Sequence, residues 1–107
     1  MNEIERLINF IAEHHKFDAI KYPELNGASP EEILKFAVRH SALHFSKTAG
    51  KIAAVSENTD HDGQIDVEEI KINLSKGFIN ALRLAELVGM SEKELIDSVE
   101  KIIKEEN

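Results

Sequence analysis

The sequence predicts an all-α fold, a four-helix bundle, and three observations carry that prediction. Apolar residues recur at three- and four-residue spacing in four separate stretches. Proline occurs only twice and glycine five times in 107 residues, so little interrupts those stretches. Three of the four also open on a Ser or Asp followed three residues later by a Glu, the signature of a capped helix start. A hydrophobic content of 42% with 6% aromatics implies aliphatic helix packing around one core, in a single domain over residues 1–107.

Taken in order, Ile4, Leu7, Ile8 and Ile11 mark a first amphipathic helix over residues 3–15, with His14, His15 and Lys16 suited to the negative end of its dipole. Residues 17–29 contain Pro23 and the Asn26-Gly27 pair and are expected to form a loop. Ser29-Pro30-Glu31-Glu32 then supplies an N-cap, a proline at the first helical position and a glutamate at the third. The second helix it opens carries Leu34, Ala37, Val38, Ser41, Ala42, Phe45, Ala49, Ile52 and Ala53 as one stripe and is expected to end near Val55. Asp66 caps a third helix, with Glu69 completing a capping box; Ile70, Leu74, Phe78, Ala81, Leu82, Ala85 and Val88 carry it to a stop at Gly89. Ser91 to Glu94 open a fourth, with Leu95, Ile96, Val99, Ile102 and Ile103 on one face and Lys104 to Asn107 expected to fray. Helices 2 and 3 are thus long and antiparallel.

Charge narrows the partners. A net charge of −7 argues against general nucleic-acid binding, which needs a basic face to displace counterions, and is compatible with cation binding. The absence of cysteine excludes disulfides and thiolate metal sites. No run approaches the length of a membrane span and the N-terminus lacks a signal-peptide pattern, so no membrane partner is expected and a cytoplasmic location is the default.

Residues 58 to 69 have the spacing of an EF-hand calcium loop, with Asn58, Asp60 and Asp62 at positions 1, 3 and 5, Gly63 at 6, Asp66 at 9 and Glu69 at 12. In such a loop Gln64 offers its backbone carbonyl, Asp66 a water-mediated contact and Glu69 two carboxylate oxygens, while Ile65 faces inward. The alternative is a polar turn followed by a helix cap, which the same residue types also serve.

The two long helices resemble a known family. Lys47-Thr48-Ala49-Gly50-Lys51-Ile52-Ala53, and after the loop the run from Leu74 to Met90 with its Leu84-Ala85-Glu86-Leu87-Val88-Gly89 ending, look like the MazG-type all-α nucleoside triphosphate pyrophosphohydrolases over about residues 29–103. The resemblance implies a MazG-like bundle that associates as a homodimer or a dimer of dimers. In that family carboxylates on both helices hold magnesium against a nucleotide's phosphates. Those positions fall here on Lys47, Thr48, Lys51, Asn73 and Lys76, none of them acidic, and an ammonium group repels the metal it would have to hold.

His40, His44, Lys47 and Lys51 follow one another at i, i+4, i+7 and i+11, a polar stripe down the second helix. Such stripes are most often solvated cations balancing acidic neighbours; the sharper reading is an anion-binding groove formed by His44, Lys47, Lys51 and Lys76. His40 and His44 alone lack a third ligand for a transition metal. Ser29 and Ser91 are helix caps, and there is neither a nucleophile elbow nor a glycine-rich phosphate loop, so no catalytic residue is identified. The sequence therefore predicts a non-catalytic MazG-like bundle with a calcium-binding loop and a binding or regulatory role. One alternative is a pyrophosphohydrolase that recruits magnesium through the acidic loop; another is an anion or nucleotide binder that works without metal. A protein partner fits the regulatory role.

Overall fold

Asn2 opens the first helix by accepting the Glu5 N–H on its Oδ1 (3.2 Å), and most of the chain beyond it is helical. A computed structural model describes residues 2–106, excluding the side chains of His61 and Asp62. The order is α1 (Glu3–His14), a 3₁₀ turn (Pro23–Leu25), α2 (Pro30–Asp62), α3 (Val67–Leu87) and α4 (Glu92–Glu106), with no strand among the described residues. The capping box expected at Ser29 is complete. Glu32 N–H donates to Ser29 Oγ (3.2 Å) and Ser29 N–H donates to Glu32 Oε1 (3.0 Å).

α2 is longer than its stripe predicts. It runs to Asp62, not to Val55, because residues 56–62 contain no glycine or proline and Ile52, Val55 and Thr59 continue a half-buried row along its inner face. Gly63 ends it, in the left-handed conformation at φ 79°, with its N–H on the Thr59 carbonyl (2.8 Å). Residues 63–66 then reverse the chain. Asp66 Oδ1 accepts the Glu69 N–H (3.1 Å) and α3 begins. The Glu69 carboxylate does not turn back to complete the expected box; it accepts instead from Nδ2 of Asn73 (3.0 Å), which is 1% exposed. At the other end of α3, Gly89 is again left-handed, and Met90 N–H reaches the Ala85 carbonyl (2.8 Å). α4 stays helical to Glu106, past the point where the sequence predicts fraying.

α2 and α3 form the antiparallel hairpin that organises the molecule, and α1 lies against α3. The faces in contact are narrower than the apolar stripes suggest. Ala37, Ser41 and Thr48 of α2 and Asn73 of α3 are buried, and Gly77 faces Thr48 closely enough that an added Cβ would stand 3.6 Å from its Cγ2. Ile8 and Ile11 of α1 pack with Leu82 of α3, flanked by Ile4, Leu7 and Leu95. Much of the remaining apolar surface is uncovered: Leu34, Phe45, Leu74, Phe78 and Val88 are between 39% and 64% exposed, and α4 buries no residue. The radius of gyration is 16.6 Å, where about 13 Å is usual for a compact chain of this length. A 33-residue helix is about 50 Å long, which accounts for the 51 Å axis of the molecule.

Because Leu82 is only 2% exposed and joins α1 to the hairpin, Leu82→Ala should cost about 2–5 kcal/mol, read as a lower urea midpoint by circular dichroism.

Candidate functional site: a cationic groove

A groove of about 460 Å³ runs along one side of the α2–α3 hairpin, with α1 and the loop after it closing one end. That volume suits a small molecule. From α2 it is lined by His40, Ser41, His44, Lys47, Thr48 and Lys51, from α3 by Lys76, Ile79, Asn80 and Arg83, and from the N-terminal segment by Ile11, His15, Phe17, Lys21 and Tyr22. The four residues expected to bind an anion, His44, Lys47, Lys51 and Lys76, thus share one groove. So do four of the five positions at which the family resemblance expects carboxylates; the fifth, Asn73, is buried and bonded to Glu69.

The electrostatics are unusual for this chain. It has 20 acidic residues against 13 lysines and arginines, yet among the described residues no carboxylate lines the groove, whereas five lysines or arginines and three of the five histidines do. Among the described residues the ion pairs are all between neighbours three or four apart on one helix, and Lys21, Lys47, Lys51 and Lys76 belong to none of them. The solvated-stripe reading supposes acidic neighbours that balance these cations. Among the described residues none forms an ion pair with these four lysines, though Glu24 acts on His40, and a partner subunit is the other source that reading allows.

Arg83 is the most constrained of the group. It is 8% exposed, its guanidinium carbon lies 4.9 Å from the centre of the Phe17 ring, and Nη1 is paired with the Glu86 carboxylate one turn on. Its Nε–H is buried and has no acceptor among the described residues. Phe17 also meets the His40 ring edge-on at 5.7 Å. Tyr22 Oη is hydrogen-bonded to His40 Nε2 at 3.3 Å, and Phe36 stacks on the same imidazole at 5.7 Å. His40 and His44 rings are 4.5 Å apart. Burial, then His44 and Lys21, hold His40 below the usual histidine range, against an opposing pull from Glu24; burial, then Lys21, Arg83 and His14, do the same for His15.

The sequence assigns His15 only to the complement of a helix end. Its backbone N–H does bond the Ile11 carbonyl (2.8 Å), but its side chain lines the groove. Nothing in the sequence pattern marks Lys21, Tyr22 or Arg83 as groove residues. Their positions relative to α2 depend on how the loop and α1 fold back, and no spacing along the chain encodes that.

The residues expected to bind calcium lie elsewhere. Asn58 and Asp60 are on the last turns of α2 and Asp62 is its final residue, so the first half of the twelve-residue segment is helical and not wound around a centre; the Asp62 side chain lies outside the described residues. Gln64 is in the short connection, and Asp66 and Glu69 are engaged at the start of α3, by the Glu69 N–H and by Asn73 respectively. Among the described residues no three acidic or histidine side chains converge as a metal site.

Fold and site together define an all-α protein with a cationic groove on a helical hairpin. Compared with known proteins, the chain matches no family model, no curated protein and no solved structure.

The lowered histidines give a pH dependence with a definite sign. An unfolded histidine titrates near 6.5, and the folded state holds His15 and His40 below that, so the unfolded chain binds more protons as pH falls through this value. The stability of the free protein should therefore decline between about pH 7.5 and pH 5.5, and the double variant His15→Gln/His40→Gln should flatten that decline in thermal melts. The lowered carboxylates Glu3 and Glu32 titrate below 4.5 and act outside this window.

Proposed function

We propose that the protein is a binding module for a phosphate-type anion held in the groove between α2 and α3. The observation that carries this reading is Arg83. An arginine that is almost fully buried beside a groove that no described carboxylate lines, with its Nε–H unpaired among the described residues, leaves a donor whose burial costs about 1–3 kcal/mol unless an acceptor arrives. The Nε edge of a guanidinium can take an oxyanion with two parallel hydrogen bonds. Lys47, Lys51 and Lys76 add charge without paired acids to compete for it. In this reading side-chain cations meet the ligand's charge directly, and the family-type magnesium site is replaced, not filled.

The acidic segment from Asn58 to Glu69 then serves as the hairpin's reversal. A calcium-loaded form would have to unwind the end of α2 and release Asp66 and Glu69 from the start of α3. One titration separates the two sites. Pyrophosphate added to chelator-treated protein should raise the melting midpoint, by an amount that grows with concentration. Lys47→Gln/Lys51→Gln should weaken that shift about tenfold or more in concentration, each lost charged hydrogen bond being worth about 1.5–3 kcal/mol. Millimolar calcium should leave the midpoint where it was. A shift with calcium and none with pyrophosphate would reverse the assignment.

The reading extends to self-association through the face opposite the groove. Phe45 and Ala49 stand two residues from Lys47 and Lys51, and Leu74 and Phe78 two residues from Lys76 and Asn80, hence about 160° round each helix from those four side chains. Phe45, Leu74 and Phe78 are 39%, 62% and 50% exposed, and a second copy covering them would leave both grooves open. Sedimentation equilibrium is expected to give a dimer or dimer-of-dimers mass, and Leu74→Glu/Phe78→Glu a helical monomer that still binds pyrophosphate.

A further inference from the structure

We propose that the groove is built for a linear oligophosphate lying along the hairpin, not for a single compact anion. This rests on the anion-binding reading above and concerns the shape and charge spacing of the ligand. His40, His44, Lys47 and Lys51 form a row on α2 that rises about 16 Å from first to last, with a nitrogen-bearing side chain at every turn. Lys76 and Arg83 face it from α3, about 10 Å apart along that helix.

The antiparallel hairpin sets these two rows against each other. Phe17 touches both His40 and Arg83, at 5.7 Å and 4.9 Å, so those two residues share one end. Gly77 lies against Thr48, so Lys76 and Lys51 share the other. The positive groups therefore do not converge on a point, as they would around an orthophosphate. They line a channel closed at its Arg83 end by Phe17 and Tyr22, with Lys47, Lys51 and Lys76 along it belonging to no ion pair among the described residues. A chain of phosphates linked through bridging oxygens carries negative charge at every link and is slender enough to lie in such a channel. Its terminal group would meet the guanidinium of Arg83, which lines that end. Protonation of His40 on binding would add a further charge at that end.

Isothermal titration in magnesium-free buffer at fixed ionic strength tests this with orthophosphate, pyrophosphate, tripolyphosphate and a longer polyphosphate, and with inositol hexakisphosphate as a compact polyanion. The expected result is affinity rising at least tenfold from orthophosphate to tripolyphosphate and levelling off once the chain outruns the groove, with inositol hexakisphosphate weaker than the linear chain of similar charge. Lys51→Gln should weaken tripolyphosphate and leave orthophosphate unaffected, whereas Arg83→Gln should weaken both; circular dichroism identifies any variant that fails to fold, and Arg83→Lys, which keeps the charge and loses the Nε edge, then replaces it. Equal affinity for the short and long chains, or a preference for the compact polyanion, overturns the linear ligand while leaving an anion site in place. No binding of any of the five overturns both.

Discussion

The packing of α2 against α3 is the constraint on which the rest of the molecule depends. A helix of 33 residues buries too little by itself to be stable, and its main long-range partner is α3, reached through a four-residue reversal. Gly63 and Asp66 make that reversal short, one by taking a left-handed conformation and the other by capping α3. Once the hairpin is set, α1 has one place to lay Ile8 and Ile11, against Leu82, and the loop after α1 must cross the hairpin's edge to reach Ser29. That crossing delivers Phe17, Lys21 and Tyr22 to the groove.

A hairpin has two sides, and this one treats them differently. The seam between the helices is filled with small or polar groups, Ala37, Ser41, Thr48, Asn73 and Gly77, which lets the backbones approach closely but buries little apolar area. On one side of the seam lie the cations. On the other lie Phe45, Leu74 and Phe78, exposed. A chain that packed those large residues into its own core would be rounder; the length of α2 and these uncovered side chains together go with the extended shape. The exposed apolar row of α4 fits the same pattern, since of its large residues only Leu95 packs against the core cluster.

Concentrating positive charge in a chain with a net charge of −7 has an electrostatic cost in the empty groove. It shows in His15 and His40, which are held below their usual range first by burial and then by Lys21, Arg83 and neighbouring histidines. Like charges gathered in one groove repel each other, and an anion lying among them would relieve that repulsion. The same arrangement makes a divalent cation a poor occupant of this groove, whatever it does elsewhere on the surface.

The sequence by itself determined the helices and most of their ends. Ser29 with Glu32, Asp66, Gly63, Gly89 and Ser91 act through bonds to residues three or four positions away, so their meaning can be read locally. It also determined one wall of the groove, because His40, His44, Lys47 and Lys51 share a helix face by periodicity alone. The end of α2 is not legible in the same way, for a physical reason: Asn and Asp at alternating positions suit a metal-binding loop and an exposed helical turn alike, and the half-buried row through Thr59 favours the helix. Only the tertiary structure decided that Asn73 and Gly77 would face α2 while Leu74 and Phe78 would not, since both arrangements satisfy the same spacing. It alone brought Arg83, His15, Lys21 and Tyr22 to the row on α2 and kept the described carboxylates out of the groove's lining. Contacts between residues tens of positions apart depend on how whole helices dock, and a side chain's neighbours across such a seam leave no mark on the pattern of its own helix.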